Sequence, residues 1–236
     1  LKLTPKTEPV GFTLHAGEVL GITGLVGAGK TELLRALTGL DKNEEFSMRL
    51  YGEPTKLNNM RDALEHGVSV VPEDRKLQGL VLIRSVRENI AMCRTYRKRT
   101  AKFGMIDRRR ENADAAEMIQ ELAIKTAGPE QRVRYLSGGN QQKVVIAKEL
   151  LAQPRILMLD EPTRGIDVGA KATIYQLIRK LKKSGMGVLF FTSDMSEIPV
   201  VCDRVIVLSG GEISGRIEGR DVTIGKILQY AAGGKE

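Results

Sequence analysis

Apolar runs and stretches of helical periodicity alternate along this chain of 236 residues. Short apolar runs bounded by turn-forming residues predict strands, which lie at 12–15, 18–23, 48–51, 68–71, 155–160, 187–192 and 204–208. Apolar residues recurring three or four positions apart predict helices, which lie at 32–38, 60–66, 85–93, 107–123, 140–152, 170–183 and 221–232. Alternating strands and helices predict the α/β class.

The helical patterns gather in one part of the chain. Residues 83–152 carry successive helix patterns with no strand pattern between them, which predicts an inserted α-helical subdomain. Residues 1–82 and 153–236 then form the strand-bearing core of a single domain. The segment Ser209–Glu212 contains two glycines and predicts a turn between antiparallel strands near the end of that core.

Composition narrows the range of partners. Lysine and arginine number 37 against 29 aspartate and glutamate, and the net charge of +8 favours nucleotide, nucleic acid or an acidic membrane surface. Part of the excess lies in one basic cluster, for which a solvated helical face is an equally good interpretation. The cluster consists of Arg94, Arg97, Lys98, Arg99, Lys102, Arg108, Arg109 and Arg110. No apolar run is long enough to cross a bilayer, and no secretory signal pattern follows Leu1.

Cysteine and histidine usage gives no sign of a metal site. Cys93 and Cys202 lie far apart in the sequence, which indicates a reduced cytoplasmic setting. His15 and His66 are isolated, and we interpret both as structural or surface residues. Because the chain starts at Leu1 and not at Met, we expect it to be a domain of a longer polypeptide.

A phosphate-binding loop is the most specific motif in the chain. Its G-x-x-x-x-G-K-T spacing covers Gly24, Leu25, Val26, Gly27, Ala28, Gly29, Lys30 and Thr31. The glycines let backbone N–H groups turn towards a polyphosphate, and Lys30 can reach its outer phosphates. The Thr31 hydroxyl can ligate Mg²⁺, and Glu32 opens the helix that aims its positive end at the nucleotide. The motif therefore predicts an ATP site.

Two acidic residues end a later apolar strand. Asp160 and Glu161 follow the apolar run at 156–159. Carboxylates at the end of a parallel strand lie where such sheets bind ligands. Asp160 is placed to hold Mg²⁺, directly or through water. Glu161 is placed to accept a proton from the attacking water.

A second glycine-rich helix start follows Leu136. Ser137, Gly138, Gly139 and Asn140 place a hydroxyl and free backbone N–H groups at the beginning of a helix, which predicts a second anion site. Either one chain binds two nucleotides, or two chains share each nucleotide face to face. A glycine cap that binds no ligand is the simpler alternative.

Together, Gly24–Thr31, Leu136–Asn140 and Ile156–Glu161 resemble, in this order, the nucleotide-binding domain of the ATP-binding-cassette (ABC) family. The likeness covers essentially the whole chain. Residues 141–143 and 161–169 resemble a narrower group, the ATP-binding subunits of bacterial ribose-, galactose- and xylose-type importers. Those subunits carry two cassettes in one polypeptide, and Glu73–Lys76 resembles the second cassette.

The resemblance implies a fold and a function. The fold is a P-loop NTPase (RecA-like) core with an antiparallel β subdomain and an inserted helical subdomain. The implied function is ATP hydrolysis that powers sugar import, with ATP and Mg²⁺ as cofactors. Ser137, Gly138 and Gly139 would contact the γ-phosphate of a partner cassette's ATP, and Asp167 would touch that partner. Further implied partners are transmembrane permease subunits and, indirectly, a periplasmic sugar-binding protein. The implied location is the cytoplasmic face of the inner membrane.

Two positions depart from the family pattern. Glu73 stands where the family has a glutamine that touches Mg²⁺, so Glu73 becomes a metal-ligand candidate with added negative charge. Ser193 stands at the catalytic position of a histidine and cannot donate a cationic N–H to the γ-phosphate. Losing such a donor costs about 10²–10³ in rate. We therefore expect this cassette's loop to form the weaker site of an asymmetric pair.

Two other functions compete with sugar import. The basic cluster would suit an ATPase of the same fold that acts on nucleic acid or the ribosome, although 5 Tyr, 5 Phe and no Trp leave few stacking platforms. This makes nucleic acid the less favoured partner. Glu73 and Ser193 would suit a regulatory nucleotide-binding module with little turnover.

Overall fold

The protein was analysed as a computed structural model that describes residues 10–41, 46–98 and 107–234, and of 94–98 the backbone only. The chain divides into two compact units. Unit 1 comprises Leu1–Val68, Arg155–Glu161 and Ile178–Glu236, and unit 2 comprises Ser69–Pro154 and Pro162–Leu177. The predicted division into a core and a helical subdomain at 83–152 stays a prediction, because the two units divide the chain at other residues.

The elements are numbered in chain order. The strands are β1 (Val19–Gly24), β2 (Met48–Leu50), β3 (Glu53–Thr55), β4 (Val68–Val71), β5 (Ile156–Asp160), β6 (Gly187–Phe191), β7 (Arg204–Ser209) and β8 (Glu212–Glu218). The helices are α1 (Lys30–Leu37), α2 (Met60–Glu65), α3 (Val86–Lys98), α4 (Arg108–Glu121), α5 (Gly138–Leu150), α6 (Val168–Lys183), α7 (Ile198–Val201) and α8 (Ile224–Ala231). A π-helical turn covers Arg75–Gly79.

Unit 1 is built on a sheet with the strand order β5-β6-β1-β7-β8. The first four strands are parallel, with Leu189 opposite both Leu20 and Met158, and β8 returns antiparallel to β7. Every residue of β1 and β6 is buried. Such strands require continuous apolar runs, which is the pattern that their sequences carry. The α/β class predicted from the sequence is confirmed.

The segment before β1 is not a strand, so the strand predicted over Phe12–His15 is wrong. Its backbone oxygens accept hydrogen bonds from side chains instead of from a neighbouring strand. The guanidinium of Arg204 donates to the Thr13 carbonyl at 2.7 Å, and that of Arg216 donates to the Gly11 carbonyl at 3.1 Å. The apolar alternation of this short run therefore reflects packing and not pairing.

A small hairpin in unit 1 was only half predicted. The strand expected at 48–51 is β2, and it pairs antiparallel with β3, which the sequence pattern did not indicate. Tyr51 and Gly52 connect the two strands with φ values of 57° and 89°. Two consecutive positive φ angles are typical of a type I′ turn, which matches the twist of a tight hairpin. Turn geometry thus makes a strand of Glu53–Thr55 despite its proline.

In unit 2 the helix predicted from Ser85 is α3, and a capping box opens it. The amide of Ser85 donates to Oε2 of Glu88 at 2.9 Å, and the amide of Glu88 donates to Oγ of Ser85 at 3.1 Å. Between these two residues, the buried Arg87 forms ion pairs of 2.6 Å with both Glu111 and Glu130. These pairs tie α3 to α4 and to the loop after α4.

Helix α5 is buried on most of its faces. Val144, Val145 and Ala147 are fully buried, and the charged Lys148 and Glu149 are also buried. Nζ of Lys148 donates to the Gly79 carbonyl at 2.8 Å and lies 3.2 Å from Oε1 of Glu149. Buried charges of this kind are stable only when paired and hydrogen-bonded. The α5 helix is therefore fixed against the end of the π-helical turn.

Within the described ranges, no helix is both long enough and apolar enough to span a membrane.

The buried leucines of the sheet should carry much of the stability of unit 1. We expect Leu189→Ala, in the fully buried β6, to lower the free energy of unfolding by about 2–5 kcal/mol. The matched change Leu228→Ala, at a leucine of α8 that is 51% exposed, should cost far less. Urea denaturation of both variants measures the difference, and equal losses would contradict this placement of the core.

Candidate functional site

The turn between β1 and α1 is built from glycines in conformations that other residues avoid. Gly24, Gly27 and Gly29 have φ values of 156°, 79° and 103°. A Cβ atom added to Gly24 would collide with the carbonyl oxygen of Leu208 in β7. The loop therefore depends on glycine both for its backbone path and for its close approach to the neighbouring strand.

The loop is also fixed at the start of α1. The amide of Gly211, in the β7–β8 turn, donates to the Ala28 carbonyl at 3.2 Å. Gly29 is the N-cap of α1, and no side chain caps the first turn. The first N–H groups of a helix need a partner, and an anion can supply it. Leu25 and Val26 form the exposed tip of the loop.

Lys30 folds back into the loop. Its Nζ donates to the Gly24 carbonyl at 2.8 Å and to the Leu25 carbonyl at 3.3 Å. Burial lowers the pKa of Lys30, and the carboxylates of Glu161 and Asp160 partly oppose that shift. The ammonium group therefore lies within the electrostatic reach of both acidic residues. This is the first link between the loop and the acidic strand end.

Asp160 and Glu161 end β5 at the edge of the sheet where β1 also ends. Burial raises the pKa of Asp160 to about 6, the charge of Glu161 adds to the shift, and Lys30 opposes it. Glu161 has a φ of 44°, which is unusual for a residue with a side chain. Its amide donates to the Phe191 carbonyl at 2.9 Å and so holds this backbone conformation in place.

Ser193 holds the carboxylate of Glu161. The amide of Ser193 donates to Oε1 of Glu161 at 2.7 Å, and the Ser193 hydroxyl donates to the same oxygen. The hydroxyl of Thr192 lies 3.4 Å from Oε2 of Glu161 and 3.0 Å from Oε2 of the buried Glu197. The carbonyl of Thr192 in turn accepts from the Thr23 hydroxyl at 2.8 Å. Thr192, which sequence reasoning missed, thus connects the end of β1 to the predicted general base.

The remaining residues predicted to bind nucleotide or metal in unit 1 are Thr31 and Glu32. Both lie in the first turn of α1 and are exposed. Among the described residues no group of three or more His, Cys, Asp or Glu side chains is placed to hold a metal ion. The Thr31 hydroxyl and the Asp160 carboxylate are oxygen ligands, the kind that Mg²⁺ takes alongside phosphate oxygens and water.

The second candidate site lies in unit 2, at the start of α5. Ser137 is the N-cap, and no side chain caps this helix start either. Oγ of Ser137 accepts from Nδ2 of Asn140 at 2.9 Å, and Oδ1 of Asn140 accepts from the Lys125 amide at 2.9 Å. Ser137 is exposed, whereas Gly139 is buried. The residues predicted as an anion site therefore lie together at one helix start.

Glu73 and Asp167 also belong to unit 2, and each has a local partner. The carboxylate of Glu73 forms an ion pair with the guanidinium of Arg164. Asp167 accepts from the Ala170 amide at 2.9 Å through Oδ1 and thereby caps the start of α6. Glu73 is thus held by a cation of its own unit, which offsets the negative charge that it introduces.

Arg75 is a residue of this region whose role sequence reasoning missed. Its Nη1 donates to the Arg164 carbonyl at 2.8 Å and its Nη2 to the Gly165 carbonyl at 3.1 Å. These partners lie 89 and 90 residues further along the chain. No local periodicity or spacing in a single sequence signals a contact of that kind.

Much of the basic cluster falls outside the described residues. The side chains of 94–98 and all of 99–106 are not described.

Comparison with known proteins gives a consistent result. A family model described as ABC transporter matches residues 7–164. The ribose import ATP-binding protein RbsA of Bacillus subtilis (strain 168) is 43% identical over 228 residues, which cover 97% of this chain and 46% of that protein. The arabinose import ATP-binding protein AraG of Pseudomonas syringae pv. syringae (strain B728a) is 44% identical over 225 residues, 95% of this chain and 44% of that protein.

A solved structure matches over most of the chain. It is the dimeric structure of a post-hydrolysis state of the ATP-binding cassette MJ0796 bound to ADP and Pi, with a TM-score of 0.74 and 26% identity. The match covers 89% of this chain and 88% of that one. The chain spans about half the length of the curated relatives that it matches.

The raised pKa of Asp160 should be visible in stability. Because its pKa is 3.8 ordinarily and about 6 when folded, the charged carboxylate destabilises the folded state above pH 6. That penalty disappears as the pH falls towards 4. With EDTA and without nucleotide, the free energy of unfolding of Asp160→Asn should therefore exceed that of wild type by about 1–2 kcal/mol at pH 8. Near pH 4 the two free energies of unfolding should be close.

Urea titrations at pH 8, 6 and 4 measure this difference. Asp221→Asn is the matched control, because its carboxylate is exposed and pairs only with the exposed Lys226 among the ion pairs of the described residues. An Asp160→Asn variant no more stable than wild type at pH 8 would contradict the desolvation of Asp160.

Proposed function

Since this chain belongs to the ABC transporter family, we propose that it is an ATP-binding and ATP-hydrolysing domain that powers import of a sugar through a membrane transporter. The observation that carries the proposal lies in unit 1. A glycine loop with its lysine and a strand ending in two carboxylates share one edge of the sheet, and Lys30 is within the field of Asp160 and Glu161. The resemblance stated from the three sequence motifs is confirmed.

The loop fits the phosphates of ATP. The uncapped N–H groups of α1 and the turn at 24–29 offer backbone donors, and these suit phosphate oxygens. Nζ of Lys30 now satisfies carbonyls of its own loop, and a phosphate can take over those hydrogen bonds. The oxygens of Thr31 and Asp160 would hold Mg²⁺, which neutralises charge on the phosphates when bound. Glu32, in the same exposed turn, flanks the site.

Glu161 is the proposed general base. A base must lie within hydrogen-bond reach of the attacking water and keep its orientation. Oε1 of Glu161 is fixed by the amide and hydroxyl of Ser193. Oε2 has only the long 3.4 Å contact with the Thr192 hydroxyl, which lies closer to Glu197, so Oε2 is the oxygen that would accept a proton from water. The backbone of Glu161 is left-handed, with a φ of 44°. Strained backbone of this kind is common at catalytic positions.

The second candidate site would act on a partner cassette. Ser137, Gly138, Gly139 and Asn140 offer a helix start to the γ-phosphate of an ATP held by that partner, and Asp167 would touch it. The relatives RbsA and AraG are about twice as long as this chain, which leaves room in them for a second cassette. We propose that this chain is likewise one cassette of a tandem pair.

The transport role follows from the relatives. RbsA and AraG are named as ribose and arabinose import ATP-binding proteins. We propose that this chain drives a sugar importer in the same way, bound to permease subunits at the cytoplasmic face of the inner membrane and served by a periplasmic sugar-binding protein. The permease would dock on unit 2, at the α-helical segments and near 73–82.

Removing the loop ammonium should weaken nucleotide binding. Lys30→Ala loses a charged donor to phosphate, so we expect Mg-ATP affinity to fall about 10- to 100-fold. Lys226→Ala, at an exposed lysine of α8, is the matched control and should bind like wild type. Calorimetry on the intact polypeptide measures both. Unchanged affinity in Lys30→Ala, or no Mg-ATP binding by wild type, would overturn the proposal.

Replacing the general base should separate chemistry from binding. Glu161→Gln keeps the shape of the side chain and should lower kcat at this cassette's own site about 10²–10⁴-fold while Mg-ATP affinity stays close to wild type. A phosphate-release assay gives that kcat when the other cassette of the intact polypeptide carries a lysine-to-alanine change in its own phosphate loop. A variant that hydrolyses ATP at the wild-type rate would remove Glu161 from the mechanism.

We further propose that this loop forms the weaker hydrolytic site of the pair, because Ser193 offers no cationic donor to the γ-phosphate. In the intact two-cassette polypeptide, Lys30→Ala should then reduce turnover less than the equivalent lysine change in the other cassette. If Lys30→Ala abolished hydrolysis and the other change had little effect, the assignment would be reversed.

A further inference from the structure

Arg75 joins two segments of unit 2 that are far apart in sequence. It begins the π-helical turn at Arg75–Gly79, which Asp74 caps by accepting from the Lys76 amide at 2.9 Å. Its guanidinium extends to the turn before α6, where it donates to the carbonyls of Arg164 and Gly165. The main-chain path of that turn is therefore fixed by a side chain from another element.

The start of α5 lies against the same guanidinium. A Cβ atom on Gly138 would lie 2.9 Å from Nη2 of Arg75 and 3.4 Å from the Gly165 carbonyl oxygen. The first distance is shorter than a Cβ atom tolerates, so a side chain at this position would displace the guanidinium, whereas the second is ordinary van der Waals contact. Arg75, Gly138, Arg164 and Gly165 thus form one packed contact, which we call the arginine junction.

The junction continues into the start of α6. A Cβ atom on Gly139 would lie 2.7 Å from Cβ of Ala170, and the Ala170 amide donates to Asp167. Gly138 and Gly139 therefore let α5 approach both the turn at 164–165 and the first turn of α6. The two elements predicted to face a partner cassette are packed on each other around one arginine.

The chemistry of the junction requires arginine. A guanidinium has a rigid fork of donors, and here two of its nitrogens reach two successive carbonyls. A lysine ammonium on a flexible stem cannot reproduce that geometry. Nε of Arg75 is buried without a hydrogen-bond partner among the described residues, which costs stability. Stability alone therefore gives a poor account of this residue.

We propose that Arg75 is a positioning residue that holds the start of α5 and the turn before Asp167 in one arrangement, so that both meet the partner cassette and its nucleotide together. The inference rests on the proposed function, in which Ser137–Asn140 contacts a nucleotide bound by the partner. Arg75 itself touches no nucleotide in this role. It acts through the backbone of Gly165 and through the space that Gly138 leaves.

Replacement of Arg75 should separate turnover from nucleotide binding. The binding loop belongs to unit 1, so Arg75→Lys should leave Mg-ATP affinity within about twofold of wild type. Misplacing the start of α5 should lower kcat, by up to about 10²-fold for a shift near 1 Å. Lys226→Ala, at an exposed lysine of unit 1, is the control and should keep the wild-type kcat. Calorimetry and phosphate release on the intact two-cassette polypeptide measure both quantities.

A double-mutant cycle tests the contact itself. Gly138→Ala should lower kcat in the wild-type background, because the new methyl group meets Nη2 of Arg75. In an Arg75→Ala background that atom is gone, so the same change should cost much less. The fold-reduction of kcat in the double variant should be smaller, by more than about twofold, than the product of the fold-reductions in the two single variants. A fold-reduction in the double variant equal to that product would contradict the proposed contact between Gly138 and Arg75. If Arg75→Ala does not fold, Arg75→Gln takes its place in the cycle.

Hydrogen exchange gives a readout that does not need ATP turnover. In Arg75→Lys the amides of 138–142 and 164–170 should exchange faster than in wild type and in Lys226→Ala. Unchanged exchange together with a wild-type kcat would overturn the inference. If wild type neither bound nor hydrolysed ATP while these exchange differences held, the proposed function would fall and the functional half of the inference with it.

Discussion

The parallel register of β5, β6 and β1 is the constraint on which the nucleotide site depends. Leu189 lies opposite both Leu20 and Met158, and this alignment brings the carboxyl ends of the three strands to one edge. Side chains alternate along a strand, so a slip of one residue would turn each of them to the other face. It would also separate the phosphate loop from the acidic strand end. Close packing on both faces of the buried strands opposes such a slip, and the site follows from the register.

Hydrogen bonds beyond the strands make this edge a single structure. The amide of Thr192 donates to the Ile22 carbonyl at 3.1 Å, and the Thr192 carbonyl accepts from the Thr23 hydroxyl at 2.8 Å. The amide of Glu161 bonds to the Phe191 carbonyl. The end of each strand is thus tied to the next. The left-handed backbone of Glu161 is kept because its amide is bonded to Phe191 of β6 and its carboxylate to Ser193, just after β6.

How much of this could be predicted depends on the range of the interaction. The strands β4 and β5 are encoded by neighbouring residues, and the sequence indicated them within a residue or two. The strand predicted at 12–15 was wrong: that segment pairs with no strand, and the Thr13 carbonyl accepts instead from Arg204, about 190 residues away in sequence. The roles of Arg75 and Thr192 depend on contacts of the same long range. They become visible only when the chain is folded.

Glu73 and Ser193 show why a motif position and a side-chain role are different things. Compared with the family pattern, Glu73 adds a negative charge and Ser193 lacks the positive charge that a histidine can carry. In the structure Glu73 is paired with Arg164, so its charge is offset locally. Ser193 donates twice to Glu161, so a residue without a cationic donor still orients the proposed base. A substitution at a catalytic position therefore has to be judged together with the partner that it acquires. The new partner determines whether the substituted residue has no role at the site or acquires a related role there.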